Sequence, residues 1–150
     1  MPRLTCTTPV GPLTLIETDE AITAVTWDDG GTDETPLLLK AARQVRAYFQ
    51  DADSGFDLPL RVEGSPLQRA VCDAMLDIPL GETRTYGDLA RKLDAPAQAI
   101  GQACGRNPIP VIIPCHRILG ASSLGGFSGG TGVDTKVALL KHEGAASLLI

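Results

Sequence analysis

The sequence predicts two joined units: an α/β N-terminal domain, made of a small antiparallel sheet and one helix, and a mainly α C-terminal domain built around a helix-turn-helix. Three observations carry this. Residues 3–28 alternate with the two-residue period of strands, residues 36–49 place apolar side chains at helical spacing, and from Ser65 onward capped helical segments follow at short intervals.

In the first unit, Leu4 and Cys6, then Leu13 and Leu15, then Ile22, Ala24, Thr26 and Trp27 mark about three short strands. Breaks at Val10-Gly11-Pro12 and Asp19-Glu20 separate them. Leu38, Ala42, Val45 and Phe49 form one helical stripe with Leu39 at its edge, while Lys40, Arg43 and Gln44 turn away, so this helix should cover one sheet face. A Gly- and Asp-rich stretch follows, and the domains are expected to span 1–63 and 64–150.

Ser65-Pro66 starts the second unit with a serine N-cap and proline at the first helical position; Leu67, Ala70, Val71, Ala74 and Met75 form its inward stripe. After Pro79-Leu80-Gly81, Thr85 caps a short helix running to Leu93, with Asp88 in its first turn. The break Asp94-Ala95-Pro96 leads to another helix from Ala97 to about Arg106, and so tight a break indicates a helix-turn-helix whose second helix is the recognition helix. Ala97, Ala99, Gly101, Ala103 and Gly105 leave that helix almost bare. Such a surface suits either close packing on a neighbouring helix or a helix trimmed to lie deep in a nucleic-acid groove.

With 150 residues the chain can bury a real core. No apolar stretch approaches the ~20 residues needed to cross a bilayer, and Met1 to Thr5 does not open a signal peptide; a cytoplasmic protein without a membrane partner is expected. Cys6, Cys72, Cys104 and Cys115 lack the short spacings of a zinc knuckle or disulfide framework, and the histidines are only His116 and His142, so no metal site is expected. The net charge of −5 is unevenly placed: residues 1–63 hold 5 Lys/Arg against 11 Asp/Glu, residues 64–150 hold 8 against 7. An acidic chain argues against nucleic acid, but the acid load is N-terminal, so binding through the second half remains open, modest and salt-sensitive.

The stretch from Pro108 to Arg117 is an apolar run ending in adjacent Cys115 and His116. Flanking prolines suggest a buried strand or extended piece that holds Cys115 rigidly. A thiol attacks as thiolate, and an imidazole that takes its proton supplies that form. The alternative is a buried structural cysteine, because neighbours in an extended chain point to opposite faces. Residues 120–132 are crowded with glycine around Phe127, which favours a ligand loop over a flexible linker, since a helix from Asp134 to His142 follows at once. Glu143 sits where a helix dipole disfavours a carboxylate, which calls for a partner such as His116. His142 reads as a helix-end surface residue.

Asn107-Pro108, Pro114-Cys115-His116-Arg117, Gly126-Phe127-Ser128-Gly129-Gly130 and Leu139-Leu140-x-His142-Glu143-Gly144 together resemble the O6-alkylguanine-DNA alkyltransferases. The resemblance is dense from Ser65 to Gly144; before that it covers the strand and helix outline and the opening Thr8-Pro9-Val10-Gly11-Pro12-Leu13. It implies a ribonuclease-H-like first domain and a winged helix-turn-helix-like second domain that enters the minor groove of double-stranded DNA. It further implies flipping of the O6-alkylguanine, and irreversible transfer of one alkyl group per chain to Cys115, by a monomer without a cofactor.

On the same resemblance, His116 deprotonates Cys115 through a water, Glu143 orients His116, Asn107 braces the nucleophile segment and Tyr86 donates to guanine N3; Arg117 makes a structural ion pair. The carbonyls of Cys115 and Ile118 and the Ser128 N–H meet the base, with Phe127 and Gly129 in the same loop and Ala97, Gln98, Gly101 and Arg106 on the DNA-facing helix. Without the family, Tyr86 is simply a half-buried aromatic at a helix start. Two positions depart from the pattern: Gln98 stands where an arginine commonly fills the space left by the flipped base, and Phe127 replaces a tyrosine. Alkyltransferase-like lesion binders share the fold but carry another residue in place of Cys115; a cysteine hydrolase would need an oxyanion hole that is not legible here.

Overall fold

The computed structural model describes residues 1–120, 129–130 and 132–145. Strands β1 (Arg3–Thr8), β2 (Gly11–Thr18) and β3 (Ala21–Thr26) form an antiparallel meander in that order. Cys6 faces Leu13 and Leu4 faces Leu15 across β1 and β2, so the period-two alternation delivers one apolar face. Asp19 and Glu20 both take positive φ, 48° and 63°, which matches the twist of a two-residue hairpin.

Helix α1 (Pro36–Gln50) covers that face. Thr35 caps it by accepting from the Leu38 N–H at 3.1 Å. Leu38, Ala41, Ala42 and Val45 are buried as the stripe requires, but the last inward residue is Tyr48, not Phe49, which is half-buried. Both positions lie on the stripe, at three and four residues from Val45, and the hydrogen bond described below selects Tyr48. Residues 59–61 then return beside β3, where Ile22 N–H donates to Pro59 O and Arg61 N–H to Ile22 O.

The second half is helical. Ser65 caps α2 (Pro66–Leu76), which buries Val71, Cys72, Ala74 and Met75, and Gln68 Nε2 donates to Ala103 O at 2.8 Å, tying α2 to α4 (Ala97–Gly105). Thr85 and Asp88 form a reciprocal capping box at the start of α3 (Tyr86–Leu93). Asp94 adopts the left-handed conformation (φ 51°, ψ 54°) that reverses the chain between α3 and α4. A short parallel pair, β4 (Arg84–Thr85) with β5 (Ile118–Leu119), fixes the entry to α3 beside the exit from the Cys115 segment. Helix α5 (Val133–His142) ends in a paired closure, with Ala145 N–H donating to Leu140 O and Gly144 N–H to Lys141 O, and Gly144 at φ 78°.

The segment before Cys115 is buried but is not a strand. Ile113 N–H donates back to Ile109 O at 2.8 Å, Val111 is forced to φ 71°, and Cys115–Arg117 forms one 3-10 turn. Pro108, Pro110 and Pro114 lack the N–H groups that a ladder needs, so the backbone folds on itself instead. Successive residues of a 3-10 turn are about 120° apart, so the opposed-faces expectation for Cys115 and His116 no longer applies.

Candidate active site

The two halves meet at Glu143. Its carboxylate, buried behind α5, takes His116 Nε2 at 2.7 Å and the Tyr48 hydroxyl at 2.5 Å on Oε2, and Arg117 Nε at 2.8 Å on Oε1, with a second Arg117 nitrogen at 3.1 Å from Oε2. Arg117 also donates to Ile78 O at 2.6 Å. Burial pushes the Glu143 carboxyl up, but the hydrogen bonds from His116, Arg117 and Tyr48 outweigh it and hold the group at about 2. Glu143 is therefore ionised, and the partner its misplacement at a helix end called for is three side chains.

This fixes the state of His116. An ionised carboxylate oxygen only accepts, so Nε2 carries the hydrogen. Burial, which outweighs the pull of Glu143, lowers the imidazole pKa, so the ring is neutral and Nδ1 keeps a bare lone pair. Nδ1 is buried and has no hydrogen-bond partner among the described residues.

Cys115 follows directly. Its thiol is pushed up by burial and drawn down by a hydrogen bond from Asn107 and by the charge of Lys136. Asn107 spans the turn, donating through Nδ2 to Ile113 O at 2.8 Å and accepting from Ile109 N–H at 3.0 Å, so it fastens the loop and meets the sulfur. Lys136 is wholly buried on α5, with Nζ donating to Ile118 O at 2.5 Å. Burial brings its pKa down to about 8 despite the nearby thiols of Cys115 and Cys104. All four cysteines are free.

The remaining expected residues fall in two places. Tyr86 opens α3, with its ring 4.0 Å from where a Cβ on Gly101 would stand, so the bare α4 surface does accommodate an aromatic neighbour. Ala97, Gln98 and Arg106 are exposed along α4. The carbonyls of Cys115 and Ile118 already accept from Ile118 N–H and Lys136 respectively, and each retains a second lone pair. Gly129 is buried against Trp27, whereas Phe127 and Ser128 lie outside the described residues. His142 is not a surface residue: it stacks on Phe49 at 5.6 Å and its Nε2 lies 2.5 Å from Tyr48 O, fixing α5 to α1. Among the described residues no group of three His, Cys, Asp or Glu could hold a metal ion.

Sequence reasoning missed Tyr48 and Lys136. A tyrosine on an amphipathic helix reads as core, and a lysine in a short helix reads as solvated; only the fold brings Tyr48 to a carboxylate 95 residues away. For Lys136 the one available signal was its place three residues before the buried Leu139 on α5.

Residues 66–145 match the 6-O-methylguanine DNA methyltransferase, DNA binding domain, and residues 3–62 match the ribonuclease-like domain of the same family. A methylated-DNA–protein-cysteine methyltransferase of Methanosarcina acetivorans is 38% identical over 149 residues, covering 91% of this chain and 94% of the relative. One of the same name from Mycobacterium tuberculosis is 41% identical over 150 residues, covering 93% and 90%. The crystal structure of Mycobacterium tuberculosis OGT in complex with DNA superposes with a TM-score of 0.85 at 38% identity, covering 97% of this chain and 94% of that one.

Proposed function

The chain belongs to the O6-methylguanine DNA methyltransferase family, and on that premise we propose that Cys115 is the residue that receives the alkyl group from O6-alkylguanine. The activity is direct DNA repair by transfer of an alkyl group to a protein cysteine. The Cys115 sulfur attacks the alkyl carbon, an S–C bond forms, and the C–O6 bond breaks with its electron pair passing to guanine. The thiol proton passes through a water to His116 Nδ1, and the Tyr86 hydroxyl donates to guanine N3 as charge builds on the purine.

The observation that carries this reading is the geometry around Glu143, which engages His116 through Nε2 at 2.7 Å and leaves the buried Nδ1 without a partner among the described residues. Burial raises the Cys115 thiol and lowers the His116 imidazole, so a neutral imidazole with a bare Nδ1 adjoins the protonated thiol in sequence. When that nitrogen takes the proton, the ionised Glu143 stabilises the imidazolium and Lys136 stabilises the thiolate, as in other nucleophile–base–orienter chains. Arg117 and Tyr48 hold Glu143 so that it does not itself take the proton. The thioether has no leaving group that water could displace easily, so each chain acts once.

DNA is bound through α3 and α4, with α4 in the minor groove, the target base flipped out and Gln98 in the space it vacates. The protein acts as a cytoplasmic monomer. Cys115→Ala should abolish transfer from a methylated oligonucleotide while DNA affinity stays close to that of the parent, because phosphate contacts dominate affinity. Residual transfer mapped to Cys104 or Cys72 would remove Cys115 from this role.

A further inference from the structure

A cavity of about 190 Å³ opens at Cys115, and its walls include Asn107, Cys104, Pro110, Gly129 and, from the N-terminal domain, Trp27. We infer that Trp27 is a specificity-determining residue: it closes this pocket and limits the size of the alkyl group that Cys115 accepts. The inference rests on Cys115 being the acceptor.

The indole lies directly on the Gly129 backbone, since a Cβ built there would fall among Trp27 Cε2 and Nε1. It cannot retreat along that direction. Its own backbone is held on both sides. Val25 N–H donates to Pro108 O at 2.8 Å, which joins β3 to the segment leading to the nucleophile, and the wholly buried Thr14 donates from Oγ1 to Asp28 O at 2.8 Å. A flat indole fixed in this way, with the Pro110 ring also lining the cavity, forms a wall that a flexible side chain would not. A methyl group on the sulfur fits beside such a wall. A larger group such as benzyl, carried in together with its purine, must share the cavity with the indole, and crowding of this kind is how an apolar pocket discriminates.

The test compares single-turnover rate constants for duplex oligonucleotides bearing one O6-methylguanine or one O6-benzylguanine, for the parent, Trp27→Phe and Trp27→Ala, each benzyl rate divided by the same protein's methyl rate. The ratio should rise by about tenfold or more in Trp27→Ala and by less in Trp27→Phe. An unchanged or falling ratio in both folded variants overturns the inference.

A second measurement needs no variant of Trp27. It is the only tryptophan in the chain, so its emission reports on this wall alone. During methyl transfer to the parent protein, emission should change at the rate of mass gain, beyond the change seen when Cys115→Ala binds the same oligonucleotide. Constant emission through complete transfer would place Trp27 away from the pocket and also overturn the inference. Absence of any methyl on the parent's Cys115 is a different result and would defeat the acceptor assignment instead.

Discussion

At the scale of single residues, the site is governed by one buried carboxylate. Glu143 accepts from His116, Arg117 and Tyr48, so its removal takes the acceptor from two buried groups, His116 Nε2 and the Tyr48 hydroxyl, and loosens Arg117, which keeps only Ile78 O. If His116 and Glu143 act as one unit, replacing either should slow single-turnover transfer severely and replacing both should add little; additive losses would show that they act separately. The same shifts predict acid lability. The folded Glu143 value of about 2 lies below its ordinary 4.5, so its contribution, on the order of 3 kcal/mol, is present above pH 4.5 and is lost as pH falls from there toward 2. His116, held neutral below its ordinary 6.5, adds a loss of the same sign beginning near pH 6.5. Urea unfolding across this range should show stability falling with pH, and Glu143→Gln should flatten the lower limb; an identical slope in the variant would mean that Glu143 does not titrate as assigned.

At the scale of elements, most of the layout is legible in local signals. Thr35, Ser65 and Thr85 each cap the helix that follows them, and the hairpin at Asp19-Glu20 and the closing Gly144 stand where turn chemistry requires. The folded turn before Cys115 is not legible in the same way, because apolar content indicates burial equally well for a strand and for a turn, and only the absence of three N–H groups at Pro108, Pro110 and Pro114 argues against a ladder. The exposed face of α4 yields the prediction that belongs here. Flipping a base costs a few kcal/mol of unstacking, and a Gln98 placed in the vacated stack as proposed, without positive charge and with less stacking area, would offset it less well than arginine. Gln98→Arg should speed transfer on duplex oligonucleotides selectively over single-stranded ones at fixed salt. Equal acceleration on both would mean only added electrostatic attraction, and no acceleration would mean that α4 meets DNA in another register.

At the scale of the whole molecule, residues of the N-terminal half reach the candidate site carried by the C-terminal half. Tyr48 reaches from α1 to Glu143, His142 docks α5 on the end of α1, and Trp27, just past β3, lines the same cavity as Cys115. None of these contacts is legible in sequence, because each joins residues about ninety positions or more apart through a fold that periodicity cannot reveal. What the sequence does expose is the run from Asn107 to Arg117 and the Glu143 partner, since those residues carry unusual chemistry at positions where packing alone would place none. Transfer of one alkyl group from DNA to Cys115 is directly testable on the four cysteines, because cleavage after Lys and Arg separates them into different peptides, with Cys115 alone in residues 107–117. After incubation with excess duplex bearing O6-methylguanine, peptide mass spectrometry should find a single methyl group on the 107–117 peptide and none on the peptides of Cys6, Cys72 or Cys104. A methyl on any of those three, or an unmodified 107–117 peptide after the substrate has been demethylated, would mean that Cys115 is not the acceptor.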